Sequence, residues 1–298
     1  MENTNKETAH SKISPTAKIT AYWKSLSDIP YAKEISDTID AEKGAREVLG
    51  DNLSVMQYFS SVIMEVRYKA INAGLQKKQV NNIMELACGL SPRGLELAAN
   101  NKKYIGTDLP DMLAETSSTI NTIATRIGIE PGLLHFETVN VLDKEQLEKA
   151  ATHFNGEPFA ICNEGLLMYF NMEEKAAMAK NVHSVLHRNG GCWITIDIAF
   201  SGLRKKLLAV ASPEAKEKFK DRMGTIASQT GRDLANNDFK DEAEATALYE
   251  ALGFRIEKYP FYDGSYEIST LHLIPEEMRE TMLSALSSTM AWILEPIA

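Results

Sequence analysis

From Thr16 to Leu26 the apolar residues return every three or four positions, at Ile19, Tyr22, Trp23 and Leu26. That spacing is one buried helix face, and Pro30 interrupts it. The stretch LSVMQYFSSVIMEVRYKAINAGL continues the period over a longer span and stops near Gly74. Residues 15–75 therefore read as a helical region. Beyond Gly74 the period changes. Short apolar runs alternate with amphipathic helices, the pattern of a parallel sheet covered on both faces. Strands are expected at 82–87, 103–108, 134–141, 159–165, 192–198, 254–261 and 290–296. Asp241 is placed to cap the helix EAEATALYEAL, and Gly253 to follow its last turn.

One region breaks the alternation. Residues 199–240 run for about forty residues without a strand pattern, the length of a helical lid insertion rather than a spacer. The expected organisation is a polar tail over 1–14, a helical cap over 15–75, and a Rossmann-like domain over 76–298 carrying the lid. Together the cap and lid would cover the carboxyl ends of the strands, where open α/β sheets bind ligands.

Composition narrows the partners. The 298 residues carry 32 Lys and Arg against 41 Asp and Glu, a net charge of −9. No basic stripe stands out, so no nucleic-acid partner is expected. No apolar run reaches the roughly 18 residues of a membrane helix, so no membrane partner is expected either. The first residues lack the apolar segment of a signal peptide, and Cys88, Cys162 and Cys192 have no paired spacing. A reduced, cytoplasmic setting is expected. No metal cluster is expected. His183 and His187 lie four apart but lack the glutamate of a zinc-protease helix, and they fall in a last helical turn.

The chemistry gathers at the strand ends. The first strand delivers Glu85 and then ELACGLSPRG, where Gly89 lets backbone approach a ligand. The glycine spacing is not that of a dinucleotide fingerprint, which needs three glycines for a pyrophosphate. The second strand ends at Asp108, nineteen residues after Gly89, where an acid holds a ribose diol. The third ends in VNVLD, whose Asn140 and Asp143 suit an adenine. The fourth ends in NEGLLMYF, offering Glu164 and Tyr169. An acid such as Glu85 at the turn suits a cation better than a phosphate. S-adenosylmethionine combines a ribose, an adenine, an amino acid and a sulfonium, with no phosphate.

The segments MELACGLSPRGLEL, YIGTDLPDML, VNVLD and NEGLLMYF resemble the class I S-adenosylmethionine-dependent methyltransferases. More narrowly they are similar to the leucine carboxyl methyltransferase family, which includes polyketide-type O-methyltransferases. The resemblance covers residues 15–200 and implies a seven-stranded, mostly parallel Rossmann-like sheet with a helical cap. It implies O-methyl transfer to a carboxylate or hydroxyl of a small-molecule or peptide acceptor, leaving S-adenosylhomocysteine. On the family pattern, Arg67 meets the cofactor carboxylate and Lys18 contacts the cofactor. Gly89 is the turn glycine and Asp108 the ribose acid, Asn140 and Val141 contact the adenine, and Glu164 lies near the sulfonium and amino group. Ser91 stands where the family has an aspartate. The reaction is expected to run mainly by proximity, with Tyr169 and Asp197 as the candidate catalytic side chains. An NAD(P)-dependent oxidoreductase and a non-catalytic adenosine-binding module are the alternatives. Oligomeric state is not legible.

Overall fold

The computed structural model describes residues 14–50, 55–201 and 237–297. Four helices come first: α1 (Ser14–Ser25), α2 (Ala32–Thr38), α3 (Ala41–Leu49) and α4 (Val55–Lys77). Strand and helix then alternate through β1 (Asn82–Leu86), α5 (Arg93–Ala99), β2 (Lys103–Asp108), α6 (Pro110–Ile127) and β3 (Leu134–Thr138). The alternation continues with α7 (Lys144–Ala151), β4 (Phe159–Asn163), α8 (Met172–Asn189) and β5 (Gly191–Thr195). The chain closes with α9 (Glu242–Ala251), β6 (Phe254–Pro260), α10 (Glu276–Ser288) and β7 (Met290–Pro296). Most of the expected lid falls on residues 202–236, outside the described residues.

Among the described residues seven strands form one sheet in the order β3-β2-β1-β4-β5-β7-β6. β1 to β5 pair in parallel, and β7 runs antiparallel to both its neighbours. The order reverses between β1 and β4. Such a switch point opens a crevice at the carboxyl ends of the strands.

Each face of the sheet carries its own helical layer. Met84, Ile161, Trp193 and Trp292 pack under α7, α8 and α9 through Leu147, Val182 and Tyr249. Ile83, Ala160, Ile194 and Ile293 pack under α4 and α10 through Val66, Ile71 and Met282. Trp193 and Trp292 are fully buried, so truncating either to Ala would cost about 3–5 kcal/mol. A third cluster joins α1 to α3 with α5 and α6 around Trp23, Ile35, Leu95 and Ile120. The N-terminal helices are thereby fixed over one corner of the sheet.

Local signals work as expected at several ends. Asp241 accepts the Glu244 amide as the cap of α9, and Gly253 follows that helix at φ 86°. β3 and β4 stop earlier than their apolar runs, at Thr138 and Asn163. Beyond β3 the Val139 amide still donates to the Asp108 carbonyl at 3.0 Å, and Val139 and Val141 stay buried where the chain lines the crevice. No helix among the described residues is long and apolar enough to cross a membrane.

Candidate functional site

The crevice at the switch point is a cavity of about 690 Å³, large enough for a cofactor-sized ligand. Its walls come from the ends of β1, β2, β3 and β4, and α1 forms the roof through Ala17, Thr20, Ala21 and Lys24. Of the sequence-predicted residues, Glu85, Gly89, Asp108, Asn140, Val141, Glu164 and Tyr169 all line it. They come from four separate strand ends.

The glycine turn leaves β1 through Ala87 and Gly89, both in the left-handed region at φ 50° and 48°. A non-glycine residue held there marks a backbone fixed by its surroundings. Gly89 has nothing within 4 Å of where a Cβ would sit. The Gly89 amide donates to Asp108 Oδ2 at 2.9 Å, and the Leu109 amide donates to Oδ1 at 2.8 Å. Asp108 thus ties the turn to the end of β2. Gly94 has a different purpose from the ligand approach expected of that turn. A Cβ there would lie 2.7 Å from the Tyr104 ring, so Gly94 lets α5 pack on the sheet.

Beneath the turn lies a buried ionic network. Glu85 accepts from Ser91 Oγ at 3.2 Å, Arg93 Nε at 3.2 Å and Tyr104 Oη at 2.7 Å. Glu85 therefore faces Arg93, not a free cation. Ser91, in place of the family aspartate, bridges Glu85 to the Arg93 amide. Arg93 is fully buried, and its guanidinium lies 4.2 Å from the Tyr68 ring centroid. Burial alone would lower its pKa, but the Glu85 carboxylate beside it prevails and raises it.

Glu164 sits at the next station, 6% exposed, facing three cations. Lys24 Nζ lies 3.0 Å away, Arg93 Nη2 3.6 Å and Arg67 Nε 3.9 Å. Burial would raise the Glu164 pKa; Lys24, Arg67 and Arg93 outweigh it and hold the carboxyl below its ordinary value. Arg67 Nε and Arg93 Nη2 are buried with no hydrogen-bond partner. Two orphaned donors beside one carboxylate are rare in a finished interior.

Two expected residues have other partners. Lys18 is not among the residues lining the cavity and lies 3.8 Å from Glu115, half exposed. The lysine at the site is Lys24, on another face of α1, which sequence reasoning missed. Asp197 is occupied as a scaffold. It accepts from the amides of Gly165, Leu166 and Leu167 at 2.8, 2.7 and 3.2 Å. Asn163 Nδ2 and Arg67 Nη2 add contacts at 2.7 and 3.3 Å. A carboxylate holding five donors shapes the loop after β4. Arg67 lies behind that loop, joined to Asp197 and Glu164, and does not line the cavity. Asp143 caps α7 by accepting from the Glu145 and Gln146 amides. Asn140 Oδ1 accepts from the Leu142 amide at 3.1 Å, which shapes the turn at the cavity edge. His183 Nε2 lies 3.2 Å from the Gly253 carbonyl oxygen, a structural contact.

No family model matches the sequence, and no curated protein matches it. Solved structures do. A methyltransferase candidate from Thermobifida fusca YX is similar over 95% of this chain and 94% of that one, at 13% identity and TM-score 0.54. Magnesium protoporphyrin IX methyltransferase of Synechocystis PCC 6803, with bound S-adenosylhomocysteine, is similar over 88% of this chain and 97% of that one. Its identity is 14% and its TM-score 0.49. The O-methyltransferase NcsB1 of neocarzinostatin biosynthesis is similar over 85% of this chain and 60% of that one, at 11% identity and TM-score 0.45. The fold is thus the Rossmann-like sheet found in methyltransferases.

Proposed function

We propose that this chain is an S-adenosylmethionine-dependent methyltransferase that methylates an oxygen atom. The observation that carries the reading is the convergence of Glu85, Gly89, Asp108, Asn140, Val141 and Glu164 from four strand ends on one cavity, where Lys24 pairs with Glu164. The network there already balances three cations, Lys24, Arg67 and Arg93, with three carboxylates, Glu85, Glu164 and Asp197. A zwitterionic amino acid adds no net charge to it. Its carboxylate suits Lys24 and its ammonium suits Glu164, both of which line the cavity. A pyrophosphate would bring uncompensated negative charge next to Glu85 and Glu164.

The remaining stations follow in order. Asp108 is the acceptor for ribose hydroxyls, and Asn140, Val141 and Leu142 form the wall for the adenine. Tyr169 and Phe170 flank the space where the acceptor enters. S-adenosylmethionine, when bound, supplies a methyl group already activated on sulfur. The chain's own contribution is alignment and exclusion of water, equivalent to roughly 10⁵ M or more in effective concentration when geometry is good.

Among the described residues the lining holds no imidazole, and Glu85 and Glu164 are committed to buried cations. That favours an acceptor that arrives ionised, a carboxylate or an acidic phenol, on a small molecule or a peptide. The leucine carboxyl methyltransferase family remains the family reading, supported by the quoted motifs.

A thermal-shift titration with S-adenosylhomocysteine, S-adenosylmethionine, NAD and NADP tests the reading. A ligand at 100 times its Kd stabilises the fold by about 2.7 kcal/mol. For a chain of this size that is roughly 2–4 °C per kcal/mol. A shift with the two adenosyl compounds alone supports it. A shift with NAD or NADP alone replaces it with an oxidoreductase.

A further inference from the structure

Sequence spacing predicts no metal cluster, yet the fold brings two histidines and a glutamate together at the sheet edge, outside the cavity lining. His135 and Glu137 alternate onto the same face of the edge strand β3. His153 comes from the short 3₁₀ turn after α7. One ligand atom from each lies within 4.8 Å of the other two. Both imidazole Nε2 atoms converge on a single carboxylate oxygen, Glu137 Oε2, at 3.5 Å from His135 and 3.3 Å from His153.

Those distances discriminate between two accounts of the cluster. A good N–H···O hydrogen bond is about 2.7–3.2 Å long, so both contacts are too long to be strong ones. Zinc binds imidazole and carboxylate at about 2.0–2.2 Å, which separates ligands on neighbouring tetrahedral corners by about 3.3–3.6 Å. Both measured edges fall in that interval. The second oxygen, Oε1, is held by Lys149 Nζ at 2.6 Å, which leaves Oε2 as a single ligand atom. The third ligand is held in position as well. Phe154, next to His153, is fully buried and stacks on Phe159 at 4.6 Å, and Lys103 Nζ donates to the His153 carbonyl at 2.5 Å. The two rings lie 3.8 Å apart between centroids.

We propose that His135, Glu137 and His153 form a site for a borderline-soft divalent cation of the zinc class, with solvent completing the coordination. Imidazole nitrogens select zinc, cobalt, nickel or copper over magnesium and calcium, which take oxygen ligands. The half-exposed histidines give the ion a route in. The cation would clasp the two ends of the segment 135–153, whose middle residues, Val139 to Leu142, line the cavity. This site does not rest on the methyltransferase reading.

The test is isothermal titration of tag-free, chelator-stripped protein with zinc chloride in a non-coordinating buffer, repeated with cobalt chloride. The expected result is one equivalent bound per chain, undisturbed by millimolar magnesium, with cobalt giving the visible absorption of a tetrahedral ion. His135→Gln and His153→Gln should each weaken binding about tenfold or more. Both positions are part-exposed on the sheet edge, so circular dichroism should show intact folds. The double variant His183→Gln/His187→Gln controls for the stacked pair on α8 and should bind as the parent does. Absence of zinc binding, equal binding in His135→Gln and His153→Gln, or loss in the α8 control would each overturn the proposal.

Discussion

Two buried glutamates contact the same long helix, α4, with opposite outcomes. Glu65, on α4, is fully buried and saturated. It accepts from the Ser269 and Thr270 amides at 2.7 and 2.9 Å and from their hydroxyls at 3.0 and 2.6 Å, and Lys69 Nζ lies 2.7 Å away. Glu164 faces Arg67 of the same helix, with Lys24 and Arg93. It has one close donor, Lys24, while two guanidinium N–H groups beside it go unused. Desolvating a carboxylate costs several kcal/mol unless hydrogen bonds replace the water. Glu65 is repaid within the chain. Glu164 lines the cavity with one close donor, and an acid with acceptor capacity left at a cavity wall marks where a ligand completes the interior. A saturated buried acid reads as structure, and an under-used one reads as a site.

The largest expected effect breaks the structural member. Glu65→Ala strands the amides and hydroxyls of Ser269 and Thr270, while Lys69 keeps Asp28 and the Glu267 carbonyl, and should destabilise the fold by about 3–5 kcal/mol in urea titration. Next comes Glu164→Gln, where the amide oxygen still accepts from Lys24 while Glu85 and Asp197 keep the arginines neutralised. A loss of about 1–3 kcal/mol is expected, with weakened S-adenosylhomocysteine binding. The same variant carries a pH signature. Because the folded pKa of Glu164 lies below the ordinary 4.5, its contribution is complete above that pH and drains as pH falls through the lower folded value. Stability measured from pH 7 to pH 3 should therefore fall less steeply in Glu164→Gln than in the parent. Arg67→Ala leaves Asp197 four other donors, so stability should change by under about 1 kcal/mol. Arg67 reaches the cavity only through Glu164, so calorimetry should show S-adenosylhomocysteine affinity reduced by only a few-fold, and a loss above about tenfold would place Arg67 against the ligand. The smallest effect is Lys18→Ala, under about 0.5 kcal/mol with ligand affinity unchanged, because its 3.8 Å pair with Glu115 is half-exposed and neither residue lines the cavity. A large loss of affinity there would return Lys18 to the site in place of Lys24.

What the chain discloses by itself depends on how local the cause is. The strands and the cap at Asp241 are set by neighbours within a few residues, so periodicity and turn chemistry expose them. Asp108 is legible because its distance from Gly89 is fixed by the length of one helix and one strand. Lys24 is not, because its partner Glu164 is 140 residues away and only the docking of α1 brings them together. Lys18 and Lys24 are equally plausible on paper, and a six-residue offset puts them on different faces of the helix. Arg93 lay inside a quoted motif, yet its fourfold partnership with Glu85, Tyr68, Asn72 and Glu164 exists only after α4 packs on the sheet. The cluster of His135, Glu137 and His153 escapes for the same reason, since α7 intervenes between its members. Asp197 was visible as an acid at a strand end, but only the path of the loop after β4 reveals that its oxygens are taken.

The placement of β7 has a consequence for biosynthesis. β7 lies between β5 and β6, so β6 reaches the sheet only through a strand that emerges from the ribosome after it. Until that moment β5 presents a bare edge, and the indole of Trp193 lacks the strand that carries Trp292. A nascent polypeptide paused before residue 290 therefore holds an open hydrophobic seam, the kind of surface on which chaperones act and aggregates begin. Translation must run through the last strand before the sheet can close.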